Sequence, residues 1–152
     1  APKRIRIELF PNLDHRRFHV TAQVSAERQH AGTLGGDRHD PFRAIFSSES
    51  NRELTADTKA TIMKFYDVEG VASVGVDHNT VEITRQAAYD WPDFTGELIS
   101  TIKEIVGWVN DDVSVEYLLY GKTYDHEPLA ELEAEIARQR AKAAAYERSR
   151  MF

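Results

Sequence analysis

The stretch Glu69-Gly70-Val71-Ala72-Ser73-Val74-Gly75-Val76-Asp77-His78-Asn79-Thr80-Val81-Glu82-Ile83-Thr84 decides the fold. It reads as a turn, a strand, a short polar connection and a returning strand. Ala72, Val74 and Val76 alternate on one face, and Val81 and Ile83 match them on the way back. Asp77 to Thr80 is the turn, built from residues that bond to their own backbone or tolerate left-handed conformations. An amphipathic helical pattern precedes this hairpin and another follows it. The order specifies an α+β unit.

Working towards the N-terminus, Thr55 is a suitable N-cap, with Asp57 placed to favour the helix dipole. Ile62, Met63, Phe65 and Tyr66 give that helix its apolar side, and Gly70 stops it. Before it, residues 25–51 show no periodicity. Gly32, Gly35, Gly36 and Pro41 mark a long loop, with an apolar island at Phe42, Ile45 and Phe46. Loops of this length are usually functional or mobile. Earlier still, Ile5, Ile7 and Leu9 alternate with Arg4, Arg6 and Glu8. Phe18, Val20, Ala22 and Val24 then alternate with Arg17, His19, Thr21 and Gln23. With Pro11-Asn12 between them, the two runs form a hairpin.

Working towards the C-terminus, Asp90 caps a second helix with Pro92 in its first turn. Phe94, Leu98, Ile99, Ile102, Ile105, Val106 and Val109 recur at helical spacing, up to a break at Asn110-Asp111-Asp112. Val113 to Tyr120 is a further strand, and Gly121 to Pro128 a linker. Leu129 to Arg150 is a last helix, with acids early and bases late. Its apolar stripe is Leu129, Leu132, Ile136, Ala143 and Tyr146, and its second half is rich in alanine. That stripe is thin for burial on its own domain and suits a partner.

The chain has 152 residues, a net charge of −6 and no cysteine. The length suits one domain with an appendage. The acidic balance weighs against a nucleic-acid binder, and no apolar run reaches the roughly 20 residues of a membrane span. Lack of cysteine excludes disulfides, thiol nucleophiles and Cys-ligated metal. It fits the cytoplasm, or an organelle matrix if the Ala1-Pro2-Lys3-Arg4 start is a processed one.

Asp and His are neighbours at Asp14-His15, Asp37-Arg38-His39-Asp40, Asp77-His78 and Asp125-His126, all read as turns. Adjacent turn residues rarely converge on one ligand, so turn chemistry is the expectation. A metal site, if present, would use His39 with Asp37 and Asp40. Gly32-Thr33-Leu34-Gly35-Gly36 lacks the ending of a phosphate loop. Ser47, Ser48 and Ser50 lack the context of a hydrolase nucleophile. Arg4, Arg6, Arg16 and Arg17 read as a solvated face with nearby acids rather than a basic patch. Trp91 and Trp108 read as packing residues. No motif calls for a cofactor.

Several segments carry a family resemblance. They are Ile5-Arg6-Ile7-Glu8 with Pro11-Asn12 and Arg17-Phe18, then Met63 to Val74, then Val81-Glu82-Ile83-Thr84, then Asp90-Trp91. Together they resemble the N-terminal domain of Nfu/NifU-type scaffold proteins over roughly two-thirds of the chain. The resemblance implies an α+β fold with one sheet packed on two helices. The Cys-x-x-Cys cluster-binding domain of full scaffolds has no counterpart here, and the 25–51 loop is longer than the family's connection.

The expected fold is therefore α+β. A small antiparallel or mixed sheet of four to five strands packs on two helices in the order ββαββα, followed by a C-terminal strand and an extended C-terminal helix. The expected division is an Nfu-N-like domain at 1–110, a strand and linker at 111–126, and a helical tail at 127–152. The expected role is a non-enzymatic interaction domain, an accessory or structural subunit of a larger protein assembly. Its contacts would be Leu129, Leu132, Ile136, Ala143 and Tyr146 on the helix and Phe42, Ile45 and Phe46 in the loop. The resemblance implies an alternative, an auxiliary of iron–sulfur cluster assembly beside a separate Cys-bearing scaffold. A homo-oligomer could form along the seam Leu129, Leu132, Ile136, Gln139, Ala143 and Tyr146 as a weak coiled coil.

Overall fold

The computed structural model describes residues 2–28 and 54–151. The fold is α+β. Its elements are β1 (Arg4–Leu9), β2 (His15–Val20), α1 (Ala56–Tyr66), β3 (Val71–Asp77), β4 (Thr80–Arg85), α2 (Trp91–Val106), β5 (Ser114–Leu119), β6 (Lys122–Tyr124) and α3 (Leu129–Arg150). The strands form one mixed sheet in the order β3-β4-β2-β1-β5-β6. β5 runs parallel to β1, with Ile5 opposite Val115 and Ile7 opposite Tyr117. The other strand pairs are antiparallel. No helix among the described residues is long and apolar enough to cross a membrane.

Strand alternation sorts the two faces. Ile5, Ile7, Leu9, Phe18, Val20, Val81 and Ile83 are buried on one side. Helices α1 and α2 cover them with Ile62, Phe65, Trp91, Phe94, Leu98 and Ile102 in one continuous core. The opposite face is a lattice of charges. Arg6 Nε donates to Glu116 Oε2 at 3.1 Å, Arg17 Nη2 lies 2.7 Å from Glu82 Oε1, and His19 Nε2 lies 2.7 Å from Glu8 Oε1. Opposite charges facing across strands reinforce the register that the apolar face sets. Arg4, Arg6 and Arg17 thus stand among acids, as their composition suggested. Arg16 lies on the other face and is buried.

Three local features depart from the periodicity. A register shift between Val71 and Ser73 marks a bulge, which places Val71 in the core and leaves Ala72 half-buried. Helix α2 ends at its C-cap Gly107, which takes a left-handed φ of +78°, and Trp108 N donates back to Lys103 O. The helix therefore stops short of Asn110, and Val109 is exposed. The segment expected as a linker contains β6, which brings the sheet to six strands. β5 itself is an internal strand, held between β1 and β6.

Helix α1 starts as the sequence implies. The Thr55 hydroxyl accepts from Thr58 N at 3.3 Å. Glu27 adds a second tie: its Oε1 accepts from Thr55 N at 2.8 Å and from the Thr58 hydroxyl at 2.9 Å. The chain leaving β2 is thereby fastened to the start of α1. In the central hairpin, Asp77 Oδ1 accepts from His78 N at 2.8 Å, and the His78 and Asn79 carbonyls accept from Val24 and Val20. Local side-chain bonding makes this turn, since neither His78 nor Asn79 has a positive φ.

Candidate functional site

The site is the C-terminal helix α3 and the elements that fix its departure from the body. β5 and β6 are joined by the two residues Tyr120 and Gly121, whose φ values are +49° and +77°. Positive φ at both central positions is the turn that matches the twist of a two-residue hairpin. Tyr120 is the only non-glycine residue with positive φ among those described. Its hydroxyl accepts from Gln139 Nε2 at 3.0 Å, so the hairpin tip holds α3 at its midpoint.

The root of α3 is held on the sheet. Arg16 points into the core from β2 with 5% of its surface exposed. Its guanidinium pairs with Glu127, the second residue before α3. It also lies 4.8 Å from the ring centre of Trp91, whose Nε1 donates to Leu13 O at 2.7 Å. Arg16 Nη1 is buried with no hydrogen-bond partner among the described residues, and the ring face offers it compensation. Burial lowers the Arg16 pKa from its ordinary value, against the hydrogen bond and charge of Glu127. Burial and then the Glu127 charge raise the phenol of Tyr117. Pro128 is fully buried, and Leu132, 4% exposed, belongs to the core.

Beyond that root the helix leaves the body. Every residue from Ala137 to Arg150 is exposed. The sequence-derived contact residues divide accordingly. Leu132 and half-buried Ile136 pack on the chain's own core. Leu129 is 56% exposed and Tyr146 61%, and Ala143 is open. The stripe is thus no continuous outward seam: Leu132 and Ile136 are taken up by the body, and Gln139 by Tyr120. An open groove continues the same side, lined by Glu135, Arg138, Gln139, Lys142, Ala143 and Tyr146. Phe42, Ile45, Phe46, His39, Asp37 and Asp40 lie outside the described residues.

The described acid–His neighbours do not converge. Asp14 pairs with Arg85, Asp77 bonds to a backbone N–H, and Asp125 pairs with His126 at 2.8 Å in the open. Among the described residues no group of three His, Asp or Glu side chains is placed to hold a metal ion. Trp91 and Trp108 are buried packing residues. Sequence reading missed the role of Arg16, although a signal existed: it shares strand parity with Phe18 and Val20, so a charge there needs a buried partner. No protein-family model, no curated protein and no solved structure matches this chain. The resemblance to Nfu/NifU-type N-terminal domains therefore rests on the residues quoted for it.

Proposed function

We propose that this chain is a non-enzymatic protein-interaction domain, an accessory or structural subunit of a larger assembly, with α3 as its docking element. One observation carries the reading. The helix runs 22 residues, yet its last 14 are all exposed, tied back to the body by the Gln139 bond to Tyr120. At about 1.5 Å per residue this is an arm of roughly 21 Å. The arm is also charged differently from the body. From Ala137 to Arg150 it carries five cations and one acid, in a chain that is net −6. A projecting helix of this kind offers contact surface at little further ordering, because its first turns are already fixed on the sheet.

The test is affinity purification from the source cells of the intact chain beside a version ending at Ile136, which keeps the buried root. Partners recovered with the intact chain alone support the docking role. The same partners with both versions would remove α3 from the account. A Cys-bearing cluster scaffold among the α3-dependent partners would select the iron–sulfur auxiliary reading that the resemblance implies.

A further inference from the structure

The face of α3 turned away from the body has its own pattern. Leu132, Ile136 and Gln139 point to the body, where Leu132 is buried and Gln139 bonds to Tyr120. At 100° per residue, Ala130, Ala134, Ala137, Ala141 and Ala144 fall on the opposite side. All five are exposed, and Ala134, with the flanking Glu131 and Arg138, borders an open hollow shared with Tyr120 and Tyr124 of the hairpin. Their spacing of four and three is that of a helix-pairing seam. One flank of this face holds Glu131 and then Arg138; the other holds Glu133 and then Arg140. Acid precedes base by seven residues on both flanks. Glu131, Glu133 and Arg140 have no ion-pair partner within the chain, and Arg138 is shared with Glu135.

That order is complementary to itself when reversed. We propose that this unpartnered face of α3 docks on the same face of a second copy, antiparallel, with the crossing point between Glu135 and Ile136. The inference rests on α3 being a docking element and names the partner. In this register Ala130 faces Ala141 of the second copy, and Ala134 faces Ala137. Glu131 stands by Arg138 of the second copy and Glu133 by Arg140, each twice through the symmetry. The charge complementarity carries the choice of occupant. A parallel pair would set acids level with acids and align the helix dipoles. The alanines supply no large buried area; they let the backbones approach to the short end of the usual 8–10 Å, so that the flanking charges meet. The apolar stripe on the other side stays on the body, so this pairing needs no rearrangement of the fold.

The experiment is sedimentation of the whole chain across concentration, at low and high salt, with charge-swapped variants. The expected result is a monomer–dimer equilibrium of a 17.3-kDa chain, weakened by salt. Glu133→Arg or Arg140→Glu alone should weaken the dimer at least about tenfold, by placing like charges together. The double variant Glu133→Arg/Arg140→Glu should restore it. These positions are exposed, so folding is preserved, and circular dichroism of each variant checks that. The chain has no natural cysteine, which allows a direct test of direction. Ala130→Cys mixed with Ala141→Cys should form a mixed disulfide. Two Ala130→Cys chains should not link, since the register holds them roughly 16 Å apart. A chain that stays monomeric up to about 1 mM overturns the proposal. A dimer indifferent to the swaps, or one that links Ala130→Cys to itself, overturns this face and register. In any of these cases, a heterologous partner captured only with α3 present leaves the docking role standing.

Discussion

Gly70 holds a φ of +97°, and a Cβ there would sit 2.9 Å from Cδ1 of Phe94. Two separate penalties meet at this residue. The backbone angle is one that L side chains rarely adopt, and the ring it would strike is buried in the core. Gly107 isolates the first penalty: its φ is +78°, but nothing lies within 4 Å of the added carbon. Gly107→Ala should therefore cost about 1 kcal/mol, the price of a left-handed conformation alone. Gly70→Ala should cost about 2–4 kcal/mol, because overpacking a filled core adds to it. Urea denaturation of both variants checks the contrast; equal losses would mean that Phe94 moves aside freely. Gly70 could be read from sequence as a stop after a helical pattern, whereas Gly107 was hidden by apolar spacing that runs on to Val109. Their difference could not be read, because it depends on a ring brought in from another element.

The elements show the same division between what is local and what is assembled. The hairpin of β3 and β4, the Thr55 cap and the two core helices follow from periodicity and turn chemistry, and all were legible. The bulge at Ala72-Ser73 was not, since two neighbouring half-apolar residues give no parity signal. Nor was β6, whose three residues become a strand only because the Tyr120-Gly121 turn folds them onto β5. On α3 the order of charges was legible, but not which stripe the body would take. That allocation is made by Pro128 and by the pair of Arg16 with Glu127, which join β2 to the root of a helix 111 residues later. Breaking a buried pair leaves the remaining charge uncompensated, and Glu127 is partly exposed, which softens the loss. Arg16→Met and Glu127→Gln should each cost about 2–3 kcal/mol, and the double variant clearly less than their sum. A double-mutant cycle in urea reads the coupling directly. Additive losses would show that Arg16 owes its place to the Trp91 ring and not to Glu127.

At the scale of the molecule, the described residues form one core and one arm, and stability and association should separate along the same line. Ending the chain at Glu127 removes fully buried Pro128 and nearly buried Leu132. Loss of one core leucine alone is worth about 2–5 kcal/mol, so this version should be destabilised by at least about 3 kcal/mol. Among the described residues, ending it at Ile136 removes only exposed ones and the Gln139 bond to Tyr120. At micromolar protein, where the proposed α3 pair is dissociated, that version should match the intact chain within about 1 kcal/mol. Concentration then separates the two roles of the helix. Binding to the folded state alone raises apparent stability as ligand rises above its dissociation constant, and here the ligand is a second copy. The melting temperature of the intact chain should therefore climb with protein concentration, and that of the Ile136 version should not. Equal, concentration-independent melting for the two would locate any self-association elsewhere. A large loss at micromolar concentration would show instead that the arm serves its own fold.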